Sequence, residues 1–104
     1  MNLHDSAEEE LKAAIAYYEK CEPGLGDEFF EEVLRGIEQI RHRPNAWPTI
    51  YQNFRRYLIN RFPYALVYRV SHNELVILAV AHTSRRPGYW RERGQEPIIS
   101  GPSD

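Results

Sequence analysis

Several features that would point to a secreted or membrane protein are missing from this chain of 104 residues. Its only cysteine is Cys21, so it forms no internal disulfide. The longest apolar run, residues 75–81, is far shorter than the roughly 20 residues of a membrane-spanning helix. The first residues include acids where an export signal has basic and then apolar side chains. These absences predict a cytoplasmic protein without a membrane segment.

Lysine is absent after residue 20, and the charge is distributed unevenly along the chain. Residues 1–40 hold eleven acidic side chains and three basic ones, a net charge of −8. Residues 41–93 hold ten arginines against two glutamates, a net charge of +8. The planar arginine fork suits two-point contacts with phosphate or carboxylate, so the second half indicates an anionic partner. The alternative is a solvated basic face that pairs with the acidic helices.

The first half has the apolar spacing of two helices. Ser6 and Glu9 form a capping-box pattern, which predicts that the first helix begins there. Apolar side chains at helical spacing then predict helices over residues 6–21 and 25–43. Residues 22–24 are too few to separate the two helices, so we expect an antiparallel helical hairpin.

The second half has the alternation of strands, which begins after the prolines at positions 44 and 48. Strands are predicted over residues 54–60, 64–70 and 74–82, joined by short turns into an antiparallel meander. Residues 75–81 are apolar on both faces, which favours the position nearest the sheet's centre. Helices followed by strands are typical of an α+β fold. We expect one domain over residues 1–94 and a flexible tail over residues 95–104.

Five short segments, in this order and spacing, carry a resemblance to a known family. They are Tyr17-Tyr18-Glu19, Pro23-Gly24-Leu25-Gly26, Arg55-Arg56, residues 62–68 and residues 82–90. Over residues 5–93 the chain resembles toxins of the RelE/ParE superfamily, found in type II toxin–antitoxin systems. The resemblance implies a helical hairpin packed on a three- to four-stranded, mainly antiparallel sheet. It also implies growth arrest, plasmid stabilisation and a cognate antitoxin that neutralises the toxin in a hetero-oligomer. The family usually begins with a strand, which is expected to be shortened or absent here.

The superfamily contains two mechanisms, inhibition of DNA gyrase and ribosome-dependent cleavage of messenger RNA. Metal-independent RNA cleavage needs a base, an acid and cations around the scissile phosphate. The candidate catalytic residues are His82, Arg85 and Tyr89, and the candidates for binding phosphate or the antitoxin are Arg55, Arg56, Arg61 and Arg86. A histidine that ends a strand is, alternatively, a hydrogen-bonded structural residue. Tyr89 and Trp90 either stack on bases or fill the edge of the core.

Two positions favour gyrase over messenger RNA as the target. Ala65 and Leu58 stand where the nucleases most similar to RelE carry basic side chains, so cations that would surround the scissile phosphate are missing. A third possibility, outside the toxin class, is a plain nucleic-acid-binding module that uses the arginine-rich sheet. The cysteine and the histidines lack metal-ligand spacing, so neither a metal nor a cofactor is expected.

Overall fold

A computed structural model describes residues 2–95, which form an α+β domain. Its elements are β1 (Asn2–Leu3), α1 (Asp5–Cys21), α2 (Leu25–His42), β2 (Thr49–Tyr51), β3 (Phe54–Leu58), β4 (Tyr64–Ser71), β5 (Glu74–His82) and a final 3₁₀ helix (Arg91–Gln95). The helical hairpin and the meander of β3, β4 and β5 confirm the sequence prediction, with ends that differ by one or two residues. The predicted flexible tail lies, from residue 96 onward, outside the described residues.

The sheet has five strands in the order β1-β5-β4-β3-β2, so the expectation of three or four strands was wrong. The first strand is present, although it has only two residues, and it pairs in parallel with β5. β2 pairs antiparallel with β3 at the other edge. Strands of two and three residues are too short to show an alternation of apolar and polar side chains, which explains why the sequence pattern did not predict them. The prediction that residues 75–81 lie nearest the centre was also wrong, because β4 is the middle strand.

The start of α1 corrects the predicted capping box. Ser6 lies inside the helix, and its backbone N–H donates to Nδ1 of His4, 3.1 Å away. The N–H of His4 in turn donates to the carbonyl of Ile77 in β5, at 2.9 Å. Pairing of β1 with β5 therefore fixes His4, the one residue between the strand and the helix, and the helix begins at Asp5.

A carboxylate of α1 joins the two helices. Glu19 accepts hydrogen bonds from the N–H groups of Gly24 and Gly26, at 3.0 and 3.1 Å. These amides begin α2 and would otherwise lack partners. Gly24 has a φ of +90°, a left-handed conformation that favours glycine. The short connection between the helices thus depends on one carboxylate and two glycines.

The main core lies between the hairpin and one face of the sheet. Phe29 of α2 is fully buried there, and its ring centroid lies 5.0–5.2 Å from those of Tyr18, Phe62 and Tyr64. Such edge and tilted contacts add to the stabilisation that burial provides. At the other end, the hydroxyl of Tyr68 donates to the carbonyl of Pro44 at 2.6 Å, so the core also anchors the loop after α2.

We predict that Gly26→Ala weakens the hairpin. An added Cβ would lie 2.7 Å from the carbonyl oxygen of Ile15, so the two helix backbones must separate. We expect a net loss of about 1–2 kcal/mol in the free energy of unfolding, because overpacking outweighs the better helix propensity of alanine. Urea unfolding followed by circular dichroism measures it.

Gly36→Ala is the matched control for this prediction. Its Cβ would meet the ring of Tyr57, a partly exposed side chain that rotates more readily than a backbone moves. The loss should therefore be smaller than at Gly26. A Gly26→Ala protein as stable as the parent chain would show that the helices do not pack as closely as described.

Candidate functional site

The second face of the sheet carries a smaller apolar cluster, covered by the segment after β5. Its buried residues are Phe54, Val67, Leu78, Ala79, Ala81 and Trp90. The Trp90 ring lies 5.6 Å from that of Phe54, and only 7% of the residue is exposed. Of the two alternatives for Trp90, the structure therefore favours a plug at the edge of the core over a surface for stacking on bases.

A cavity of about 210 Å³ lies beside this cluster, between the sheet and the C-terminal segment. Its floor contains small buried side chains of β4 and β5, namely Ala65, Val67 and Ala81. Its exposed rim carries Arg56, Arg85, Arg86 and Arg91, and His82 also lines it. Tyr89 lines the same cavity. Five of the seven candidates named from the sequence therefore line it, namely Arg56, His82, Arg85, Arg86 and Tyr89. Ala65 leaves open the space that a longer side chain would fill.

His82 is held by the turn that follows β5. Its Nδ1 accepts a hydrogen bond from the backbone N–H of Ser84 at 3.0 Å, and the Ser84 hydroxyl lies 2.8 Å from the same nitrogen. Because an amide N–H only donates, Nδ1 carries no proton, and the neutral ring carries its proton on Nε2. His82 therefore has a structural hydrogen bond and still presents its ring to the cavity. Its predicted catalytic role stays a prediction.

Two rim arginines stack on tyrosine rings. The guanidinium carbon of Arg85 lies 3.9 Å from the ring centroid of Tyr89, and that of Arg91 lies 4.6 Å from the ring centroid of Tyr51. A ring orients a guanidinium but does not neutralise it. Within residues 2–95, no carboxylate forms an ion pair with Arg56, Arg85, Arg86 or Arg91. The rim thus keeps four positive charges.

Two predicted site residues lie elsewhere. Neighbouring residues of β3 point to opposite faces of the sheet, so Arg56 points to the cavity and Arg55 points to the helical side. There Arg55 donates a hydrogen bond to the carbonyl of Trp47. Arg61, in the turn between β3 and β4, pairs with Glu28 of α2 at 2.8 Å. These two arginines support the fold on the helical side and do not join the cavity.

Glu10 of α1 is the residue of this site that sequence reasoning missed. One carboxylate oxygen accepts from the N–H of Val80 at 2.9 Å and from Arg93 at 3.0 Å. The other accepts from the hydroxyl of Tyr89 at 2.8 Å and from Arg93 at 2.9 Å. Arg93 also donates to the carbonyl of Leu78 at 2.9 Å. Glu10 therefore joins the first helix, the part of β5 beyond its pairing with β1, and the segment that closes the cavity.

This network displaces the pKa values of both acidic groups in it. Burial raises the pKa of Glu10, but hydrogen bonds from Arg93, Tyr89 and Val80 outweigh burial, and the pKa lies below its ordinary value. Burial and the hydrogen bond to Glu10 raise the pKa of the Tyr89 hydroxyl well above its usual range. Such a hydroxyl holds its proton firmly, which disfavours Tyr89 as a catalytic acid and favours a positioning role.

The lowered pKa of Glu10 predicts a loss of stability in acid. A carboxylate with a depressed pKa in the folded state contributes its full stability above the unfolded-state value of 4.5 and loses it as the pH falls through the folded-state pKa. We expect the stability difference between the parent chain and Glu10→Gln to shrink as the pH falls from 7 towards 3. Denaturant unfolding at a series of pH values measures it. A difference independent of pH would contradict the ionised network.

Neither a metal-binding cluster nor a membrane-spanning helix is present in the described part of the chain. No group of three or more histidine, cysteine or acidic side chains within residues 2–95 is placed to hold a metal ion. Neither helix of that region is long and apolar enough to cross a membrane.

A helical hairpin on one face of a mixed five-stranded sheet, with an arginine-rimmed cavity on the other, defines a small toxin of the RelE/ParE class. The family described as "ParE toxin of type II toxin-antitoxin system, parDE" matches residues 1–87, and the chain belongs to this family. The protein is similar to Toxin ParE2 from two strains of Mycobacterium tuberculosis, with 26% identity over 88 residues and 84% of each chain covered. It shares its fold with a chain of the chromosomal ParDE system from P. aeruginosa. The TM-score is 0.70 at 19% identity, with 81% of this chain and 97% of that chain covered.

Proposed function

We propose that this protein arrests growth by inhibiting DNA gyrase, and that a cognate antitoxin neutralises it. The observation that carries the proposal is the match of the ParE toxin family to residues 1–87. The family match favours a ParE-like toxin over a RelE-like messenger RNA endonuclease. A binding inhibitor needs a shaped and charged surface but no general acid or base.

The geometry of the cavity supports a binding inhibitor. Ala65 lines the cavity where the RelE-like nucleases place an arginine, and each lost contact to a transition-state charge costs roughly 10²- to 10³-fold in rate. The hydroxyl proton of Tyr89 is donated to Glu10, which leaves the imidazole of His82 as the candidate acid or base among the residues that line the cavity. One such group is a weak basis for cleavage.

The surface also fits an antitoxin with an acidic segment. The four rim arginines attract negative charge, which speeds association with a partner of opposite sign. On the outer side of α2, Phe30 and Leu34 lie one helical turn apart and are 38% and 48% exposed. Neighbouring apolar side chains of this kind are typical of a surface that another chain covers. An antitoxin that covers both regions would block the cavity.

We predict that induced expression of the chain arrests growth, and that coexpression of the antitoxin encoded beside it restores growth. The purified protein should inhibit supercoiling by gyrase. The variant His82→Ala should still arrest growth and inhibit supercoiling, because no proton transfer is required. Transcript ends mapped after induction provide the second measurement.

Two outcomes would overturn this proposal. If gyrase is unaffected while ribosome-dependent transcript cleavage appears and vanishes with His82→Ala, the protein is a messenger RNA endonuclease. If growth stops although neither supercoiling nor transcripts change, the target lies outside both mechanisms.

A further inference from the structure

We infer that the cavity rimmed by Arg56, Arg85, Arg86 and Arg91 binds a backbone phosphate of nucleic acid, and that the protein therefore holds a DNA or RNA strand without a partner protein. This inference goes beyond gyrase inhibition, because it assigns a ligand to the chain itself. It requires no cleavage of the strand.

The charge of the cavity is the first argument. Four guanidinium-bearing side chains line one small volume, and the residues that line it include no aspartate or glutamate. The carboxylate of Glu10, which contacts Tyr89 of the lining, already has a cationic partner in Arg93. Glu92 follows Arg91 in the chain but does not line the cavity. Crowding like charges without a counterion is unfavourable, and a bound anion relieves it.

The donors of the cavity suit phosphate. Guanidinium groups form paired hydrogen bonds with phosphate oxygens, and stacking of Arg85 and Arg91 on tyrosine rings orients two of them in advance. His82 adds a further donor, because Nδ1 accepts from Ser84 and the neutral ring has its proton on Nε2. Preorganised donors lose little side-chain entropy on binding.

The size of the cavity limits the ligand to part of a strand. Pockets for whole small molecules span roughly 300–1,000 Å³, and this cavity has about 210 Å³. One phosphate with its sugar is a better match for this volume than a complete nucleotide, and the small apolar floor of Ala65, Val67 and Ala81 suits the sugar's carbon atoms. Trp90 is buried in the core cluster and offers no ring for stacking on a base. Binding should therefore be independent of base sequence.

The test measures binding of the full-length protein to a fluorescein-labelled 16-mer, as single-stranded DNA, duplex DNA and RNA, by fluorescence anisotropy. We expect binding that weakens as salt rises, with a slope of log affinity against log salt of about −1 on the duplex, for the one phosphate that the cavity holds. Arg56→Ala combined with Arg86→Ala should weaken binding at least tenfold and make that slope shallower. Matched control proteins carry Arg41→Ala or Arg43→Ala, at exposed positions at the end of α2, and each should bind within twofold of the parent chain.

Three results would contradict the inference. In the first, the oligonucleotides would not bind even at low salt. In the second, the cavity variant and the controls would lose affinity equally, which would indicate diffuse attraction to a basic surface. A third contrary result is that pyrophosphate binds in an arginine-dependent manner while no oligonucleotide does, since the site would then hold a free anion. Thermal unfolding verifies that each variant is folded. The assay contains no gyrase and no antitoxin, so its failure is distinct from failure of the proposed target.

Discussion

Replacing Glu10 by alanine is expected to lower the free energy of unfolding by about 2–4 kcal/mol, more than any other single acidic residue of α1. The substitution removes the carboxylate that forms an ion pair with the guanidinium of Arg93, whose side chain is 16% exposed. It also removes the acceptor for the N–H of Val80 and for the hydroxyl of Tyr89. Removal of one member of a buried, hydrogen-bonded ion pair is strongly destabilising, because the remaining charge and donors are desolvated.

The control for this prediction is Glu9→Ala, which removes an exposed carboxylate from the adjacent position of the same helix. Its effect should stay within about 0.5 kcal/mol, as is usual for surface substitutions. A double-mutant cycle of Glu10→Ala with Tyr89→Phe should show non-additive losses, since both changes break the same hydrogen bond. Equal, small losses for Glu9 and Glu10 would show that the carboxylate of Glu10 is solvated.

The loss at Glu10 has a consequence for the cavity. Tyr89 receives its orientation from Glu10, and the ring of Tyr89 supports the guanidinium of Arg85. A carboxylate on the first helix thus positions a cation at the end of the chain, 75 positions later. Glu10 is a positioning residue for the site, and oligonucleotide affinity in the Glu10→Ala protein should fall although Glu10 does not line the cavity.

Periodicity revealed the elements that are long enough to display it. The apolar spacing in residues 6–43 and the alternation in residues 64–70 each extend over several repeats, so the helical hairpin and the central meander were predictable. β1 and β2 each add three residues or fewer to the edges of the sheet, and their positions follow from pairing with distant residues rather than from their own sequence. The start of α1 was mispredicted for the same reason, because the hydrogen bond from the N–H of His4 to the carbonyl of Ile77 fixes the residue before the helix, which the local capping pattern does not reveal.

The site was predictable where chemistry is concentrated in one segment. His82, Arg85, Arg86 and Tyr89 follow one another at the end of β5, and the turn after that strand brings them together. Glu10 gave a weaker signal: it lies between Ala7 and Ala14, both buried, in a helix whose other acidic residues in the first two turns are exposed. Its partners are more than 60 positions away, and neither spacing nor charge in the sequence connects them.

The arginines show the same limit. Arg55 and Arg56 are adjacent in sequence, but side chains alternate along β3, so the two arginines point to opposite faces of the sheet. Each can be assigned to its face only when the register of β3 with β4 is known. Arg61 has a φ of +74° in the turn after β3 and lies close to Glu28 of α2, 33 positions earlier. A count of positive charge in the sequence therefore does not separate the arginines that line the cavity from Arg55 and Arg61, which contact other parts of the fold.

Charge reversal in the cavity is expected to separate stability from toxicity. In the double variant Arg56→Glu and Arg86→Glu, two carboxylates face Arg85 and Arg91, so repulsion among the rim cations becomes attraction. Neither replaced arginine forms an ion pair within residues 2–95, so no ion pair is lost with the side chains. The variant should unfold at the same temperature as the parent chain or at a higher one. Functional sites that crowd like charges are commonly stabilised when that charge is removed.

The same variant should lose growth arrest and raise the concentration needed for half-inhibition of supercoiling at least tenfold, because like charges placed against an anionic partner cost several kcal/mol. Arg41→Glu, which changes the net charge in the same direction outside the cavity, should leave inhibition within about twofold.

If the double variant remains as toxic as the parent chain, the cavity has no part in target inhibition, and the exposed apolar side of α2 becomes the better candidate for the contact with gyrase. If Arg41→Glu is equally impaired, net charge rather than the cavity determines inhibition. A folded, stabilised and inactive double variant is the result that the arrangement of these four arginines predicts.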